Sequence, residues 1–150
     1  MHSTDKIKTV AILGAGNGGC AAAADLTNRG FDVHLYSRSQ QTLQPIIDRG
    51  GLEMIGVLGE GFMKLAKVTN QIEEAVGGAD VIMTTTPTNA FDYFAQILAP
   101  LLEQGQVLFF NPGQGGGGLS FHRWLRQYGG PPVRSVETSS LTYGTRTPEP

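Results

Sequence analysis

A single cysteine, Cys20, leaves this 150-residue chain without an internal disulfide, and a reducing cytoplasm is the compartment that fits. Basic residues are few: 11 Lys and Arg stand against 13 Asp and Glu, for a net charge of -2. With no Lys or Arg run, nucleic acid and anionic membranes are not expected as partners. Every apolar stretch is broken by Gly, Thr or Pro well short of a bilayer's width, so no transmembrane helix is expected. The polar start, residues 1–8, carries no signal-peptide core. Histidine is scarce too. His2 lies in the tail, His34 in a strand-like run and His122 on an amphipathic stretch. Surface or core places suit them better than catalysis, and no metal site is expected.

What the chain has in excess is glycine, 21 residues of it. These gather within 14–19, 50–61 and 113–118, between apolar runs, as tight turns and close backbone approaches do and linkers do not. At 40% hydrophobic and 16% charged, the composition is that of one globular domain able to bury a core.

Residues 9–13 (TVAIL) read as a fully buried strand. Alanine-rich 20–29, closed by Gly30, reads as a helix, and Phe31, Val33 and Leu35 alternate as a second strand. A helix over 39–49 is weakened by Pro45. Residues 50–61 suggest turns or a small hairpin, and 65–69 a short strand. Asn70-Gln71-Ile72-Glu73 has the spacing of a capping box opening a short helix. Residues 80–86 predict a buried strand stopped by Pro87. Residues 88–103 predict a helix with Phe91, Phe94, Ile97, Leu98 and Leu101 on one face, kinked at Pro100. A strand follows at 106–110, then a helix face of Phe121, Trp124, Leu125 and Tyr128, then a last strand at 133–136. This alternation predicts a Rossmann-type α/β fold, a doubly wound parallel sheet with helices on both faces, as a single domain over residues 1–150.

Gly14-Ala15-Gly16-Asn17-Gly18-Gly19 follows the first strand and opens the first helix, the context a dinucleotide fingerprint requires. Gly14 permits the tight turn, Gly16 lets the backbone reach a pyrophosphate, and Gly19 lets the helix pack on the strands. The helix start offers N–H groups and a positive dipole end to the phosphates. After the second strand, where an acid would hold the 2′-OH of NAD, stand Ser37 and Arg38. A hydroxyl and a guanidinium suit a 2′-phosphate, so NADP(H) is the expected preference. In the alternative, Arg38 stacks on the adenine of NAD.

Three further stretches fall at the carboxyl edge of the sheet, where open α/β folds bind ligands. Thr84-Thr85-Thr86-Pro87 ends the fourth buried strand; Thr86 and Pro87 are placed to pass the nicotinamide, although threonine is also ordinary strand chemistry. Asn111-Pro112-Gly113-Gln114 and the glycines after it offer Gln114 to orient a carboxylate or amide, or form an exposed turn. Glu137-Thr138-Ser139-Ser140 offers Glu137 to a cationic amino group, or leaves it solvated. The Trp124 face is equally core or interface, which leaves a homodimer open.

The run from Val10 to Gly19, with Ala22-Ala23-Ala24-Asp25-Leu26 and Gly30, resembles the opine dehydrogenases, the octopine and nopaline dehydrogenase family. Gly-Ala-Gly-Asn-Gly-Gly alone also occurs in glycerol-3-phosphate dehydrogenases. The later motifs are similar to the opine family: Asn111-Pro112-Gly113-Gln114, and Val136-Glu137-Thr138 through Leu141-x-Tyr143-x-x-Arg146. The glycerol-phosphate enzymes place a catalytic lysine where this chain has Gln114. The resemblance implies an oxidoreductase that condenses an α-keto acid with an amino acid and reduces the imine with NAD(P)H. It implies that Gln114 and Ser139 face the keto acid and Glu137 the amino acid; Thr is common where Ser139 stands. It also implies a second, helical domain supplying a His–Asp pair. The chain stops at Pro150, about where that domain begins, and offers no acid–base residue in its place. Cofactor binding without appreciable turnover is therefore expected of these 150 residues. A stand-alone, non-catalytic NADP(H)-binding module is the competing reading, and a glycerol-3-phosphate or ketopantoate-type reductase the third.

Overall fold

Strand β1 (Thr9–Leu13) is buried on both faces, and its alternation sorts the core into two halves. The computed structural model describes residues 7–146; His2, most of the polar start and Pro150 lie outside the described residues. After β1 the chain runs through α1 (Asn17–Asn28), β2 (Asp32–Tyr36), α2 (Gln40–Arg49) and an antiparallel hairpin, β3 (Leu52–Met54) with β4 (Gly61–Met63). It continues through β5 (Lys67–Thr69), α3 (Ile72–Val76), β6 (Val81–Thr84), α4 (Phe91–Leu98), β7 (Val107–Phe110), α5 (Gly117–Gln127) and β8 (Arg134–Glu137). Six strands pair in parallel in the order β5-β2-β1-β6-β7-β8. With the hairpin set aside, this is the doubly wound Rossmann order, growing outward in both directions from β1. The expected fold is the observed one.

Val10 and Ile12 of β1 join Val33, Leu35 and Met83 under α1 and α2, where Ala22, Ala23 and Ile46 pack on them. Small alanines bring α1 close to the sheet. Ala11 and Leu13 face the other way, with Ile82, Leu108 and Phe110, under α3, α4 and α5. Three rings lock that half: Phe91 lies 5.0 Å from Phe110 and 5.9 Å from Phe121, and Phe110 lies 4.9 Å from Phe121, centroid to centroid. Trp124 packs partly buried against the same cluster. Asp80 joins the start of β1 to that of β6: its carboxylate accepts the N–H groups of Lys8 and Thr9, both at 2.8 Å.

Three local expectations need correction. Helix α1 begins at Asn17 rather than Cys20, because the fingerprint glycines after the turn are themselves its first residues. The capping box does not form: Gln71 is the cap and makes no side-chain capping bond, its amide donating instead to Asn70 at 3.0 Å. Thr69 does that work from the end of β5, accepting from Gln71 N–H at 3.0 Å and donating to Glu74 at 2.8 Å. The long helix over 88–103 is a 3-10 turn at Thr88–Ala90 followed by only Phe91–Leu98, since Pro100 has no N–H to extend it. Pro45, by contrast, sits inside α2. The helix is held there by the Ser39 cap and by Gln40–Gln44–Asp48 side-chain bonds of 3.2 and 2.8 Å.

Candidate functional site

Strand order reverses between β1 and β6, and the turns leaving the sheet's carboxyl ends form one continuous rim. Each is tied to its neighbour by a backbone bond that extends the parallel ladder. Gly14 N–H donates to Tyr36 O at 2.9 Å, Thr85 to Leu13 O at 3.1 Å, Asn111 to Thr84 O at 2.9 Å and Thr138 to Phe110 O at 3.0 Å. All the regions expected to form a site therefore lie along this edge.

At its centre, Gly14 has φ +119°, the left-handed region that glycine alone enters without strain. A Cβ on Gly19 would fall 1.7 Å from Gly14 O, so α1 meets the turn at a distance no side chain permits. A Cβ on Gly16 would touch nothing within 4 Å. The backbone is therefore bare and open there, and Gly16, as the cap of α1, has no side chain to close the helix start. Ala15 and Asn17 flank it in the same turn, and Gly18 is covered by Leu141. This geometry fits a diphosphate: a helix start left open at Gly16, beside a glycine turn, with the partial positive charge of the helix end behind it. Thr85, overlooked in the sequence, fixes the turn, its hydroxyl reaching Leu13 O and Gly14 O at 3.3 and 3.2 Å. Thr86, next along, buries a hydroxyl with no partner among the described residues. Thr84 in β6 and Thr27 in α1 bury theirs in the same way, so this hydroxyl does not by itself mark a ligand. Pro87 caps the 3-10 turn that follows.

On one side of this centre stand Ser37 and Arg38. The Ser37 hydroxyl accepts from Ser39 N–H at 3.3 Å, and exposed Arg38 lies over the ring of Tyr93, 4.9 Å from its centroid. On the other side is the second glycine loop. Gln114 holds φ +53°, in the left-handed region, followed by Gly115 at +72° and Gly116 at +119°. Its side-chain oxygen accepts from Thr88 at 3.4 Å.

Glu137 is not free in solvent. Its two oxygens accept Gly116 N–H and Gly118 N–H, both at 2.9 Å, and so close the start of α5. A Cβ on Gly113 would lie 2.5 Å from that carboxylate. The glycines of this loop thus permit close approach of the chain's own acid. Ser139 is exposed just beyond β8.

Asn111 is the residue that sequence reasoning undervalued. It is 0% exposed, and both polar atoms of its side chain are used. Its amide donates to Thr142 Oγ1 at 2.8 Å, and its oxygen accepts Thr142 N–H at 3.0 Å and the Thr138 hydroxyl at 3.2 Å. The segment after β8 is thereby drawn back over the rim, and Tyr143 reaches α1, donating to Asp25 at 2.9 Å. Burial, with that bond, pushes the Tyr143 phenol up to about 12. An Asn before a Pro at the end of an apolar strand was the available signal. His34 bonds Ala75 O at 2.9 Å and His122 bonds Ser135 at 2.7 Å; neither belongs to the rim. Among the described residues no metal-binding cluster occurs, and no helix is long and apolar enough to cross a membrane.

Residues 10–117 match the family model described as ketopantoate reductase PanE/ApbA. The chain is 38% identical over 145 residues to an opine dehydrogenase from Arthrobacter sp. (strain 1C), covering 95% of this chain and 40% of that protein. It is 34% identical over 104 residues to a glycerol-3-phosphate dehydrogenase [NAD(P)+] from Alcanivorax borkumensis, covering 69% of this chain and 28% of that one. Well under half of each relative is therefore represented. An octopine dehydrogenase solved with NADH and L-arginine superposes with a TM-score of 0.80 at 21% identity, over 95% of this chain and 37% of that one. The chain thus belongs to the ketopantoate reductase PanE/ApbA family of dehydrogenase domains, and its similarity to opine dehydrogenase runs through nearly its whole length.

Proposed function

We propose that these residues form the cofactor-binding domain of an NAD(P)-dependent, opine-type dehydrogenase. The reading is carried by the contrast between Gly19, packed against Gly14 O, and Gly16, open to whatever lies on the helix start. The cofactor supplies hydride for an imine made from an α-keto acid and an amino acid. The chain's part is binding and orientation. The glycine turn and the α1 start take the diphosphate, Thr86 and Pro87 flank the nicotinamide, and Ser37 and Arg38 take the 2′-phosphate, so that NADP(H) is preferred. Gln114 and Ser139 face the keto acid. Glu137 faces the amino group with the lone pairs that the loop amides leave free.

Neither His34 nor His122 lies at the rim, so the proton needed at the imine comes from a second, helical domain, as the greater length of the relatives supports. The 150 residues alone bind without appreciable turnover. With Gln114 in the loop where a lysine would serve, reduction of a glycerol phosphate is the less supported reading, despite the 34% relative.

The test compares NADPH and NADH by fluorescence titration. Arg38→Ala lowers NADPH affinity about ten- to a hundred-fold, the scale of charge-assisted hydrogen bonds, and changes NADH affinity by less than about three-fold. Equal affinities in the unaltered chain refute the preference for NADP(H), and no binding of either nucleotide refutes the reading as a whole.

A further inference from the structure

Arg38 does not stand alone on its turn. Its guanidinium lies 4.9 Å from the centroid of the Tyr93 ring, which comes from α4, the helix that follows the rim on the far side of the strand reversal. The ring is itself held. Burial first, and the neighbouring Tyr93 hydroxyl second, raise the phenol of Tyr36, at the end of β2. Phe94 meets both rings edge-on, at 6.3 Å from Tyr36 and 5.4 Å from Tyr93. Tyr36 is buried in the core, so the platform under Arg38 is anchored to the sheet.

The ion pairs among the described residues are Lys8–Asp32 and Arg29–Asp25; Arg38 belongs to neither, and its charge remains available. Stacking uses only the face of a guanidinium. Its N–H donors point outward in the plane, so a ring beneath and a phosphate at the edge are compatible.

We infer that Tyr93 is a specificity-positioning residue, which holds the Arg38 guanidinium ready for a 2′-phosphate and so raises affinity for the phosphorylated nucleotide alone. The inference rests on the reading of Arg38 given above and adds a residue on a different element. A side chain held in place forfeits less rotamer freedom on binding, and an exposed cation–π contact corresponds to about a three- to five-fold effect.

The experiment is a double-mutant cycle on the full chain, titrated with NADPH and with NADH. Tyr93→Leu keeps apolar bulk without the aromatic face, and Tyr93→Phe keeps the face without the hydroxyl. Y93L is expected to weaken NADPH about three- to five-fold, to leave NADH unchanged, and to add nothing in an R38A background. Y93F falls between Y93L and the unaltered chain. Equal losses for both nucleotides, an added loss on top of R38A, or no loss at all overturns the inference. If R38A itself spares NADPH, the reading of Arg38 fails instead, and the two failures are told apart.

Discussion

Gly16 and Gly19 stand three residues apart and lack side chains for opposite reasons. The first faces open space; the second faces the carbonyl of Gly14. Alanine at Gly19 must displace backbone, so Gly19→Ala is expected to cost about 1–3 kcal/mol of stability, as overpacking does, and to abolish nucleotide binding. Gly16→Ala meets no neighbour and is expected to stay within about 1 kcal/mol, yet to lose on the order of ten-fold in affinity where a diphosphate approaches the backbone. Thermal melts and nucleotide titrations on the two variants check this. If Gly16→Ala binds as well as the unaltered chain, the bare backbone there serves no ligand. These glycines were legible in the sequence because their spacing encodes the turn. Thr85 was not, since one threonine among three has no signature until its hydroxyl is seen on Leu13 O and Gly14 O. Glu137 was legible as a polar residue at the edge. That its carboxylate caps α5 was not, because the contact joins residues 19 and 21 positions apart.

Among the elements, the buried parallel strands declared themselves as apolar runs, or in β2 by alternation, while the short helices did not. Helix α3 has five residues, too few for a period, and the pattern over 88–103 reads as one helix because apolar spacing continues past the point where Pro100 ends the hydrogen bonding. The return segment after β8 has no periodicity at all. Its place depends on Asn111 at one end and on Tyr143 at the other, where the phenol donates to Asp25 and Asp25 in turn accepts Arg29 at 2.8 Å. Tyr143→Phe is expected to cost about 1–2 kcal/mol, the worth of a partly exposed bond to a carboxylate. The pH dependence has a definite sign. Because the folded phenol is raised to about 12 from about 10 in an unfolded chain, its contribution is complete below pH ~10 and is lost as pH rises toward 12. Denaturant melts across that alkaline window would be steeper in the unaltered chain than in Tyr143→Phe; identical slopes would remove the phenol from the account.

At the scale of the whole molecule, the sheet order was legible because alternating buried strands and helices admit few right-handed arrangements, and a fingerprint between the first strand and helix fixes which strand is central. The edge-to-edge relation of the turns was beyond reach, since Leu13 and Thr85, or Asn111 and Thr142, are neighbours only once the sheet exists. That relation bears on how the molecule breathes. Residues in loops ordinarily trade their amide protons with water quickly, but the amides of Gly14, Thr85, Asn111 and Thr138 are bound as strand amides are. In deuterated solvent these four are expected to be protected to nearly the depth of β1 and β6, opening only when the sheet itself opens. Fast exchange at any of them would show a rim that loosens segment by segment; slow exchange at all four describes a mouth whose lip is as rigid as the wall beneath it.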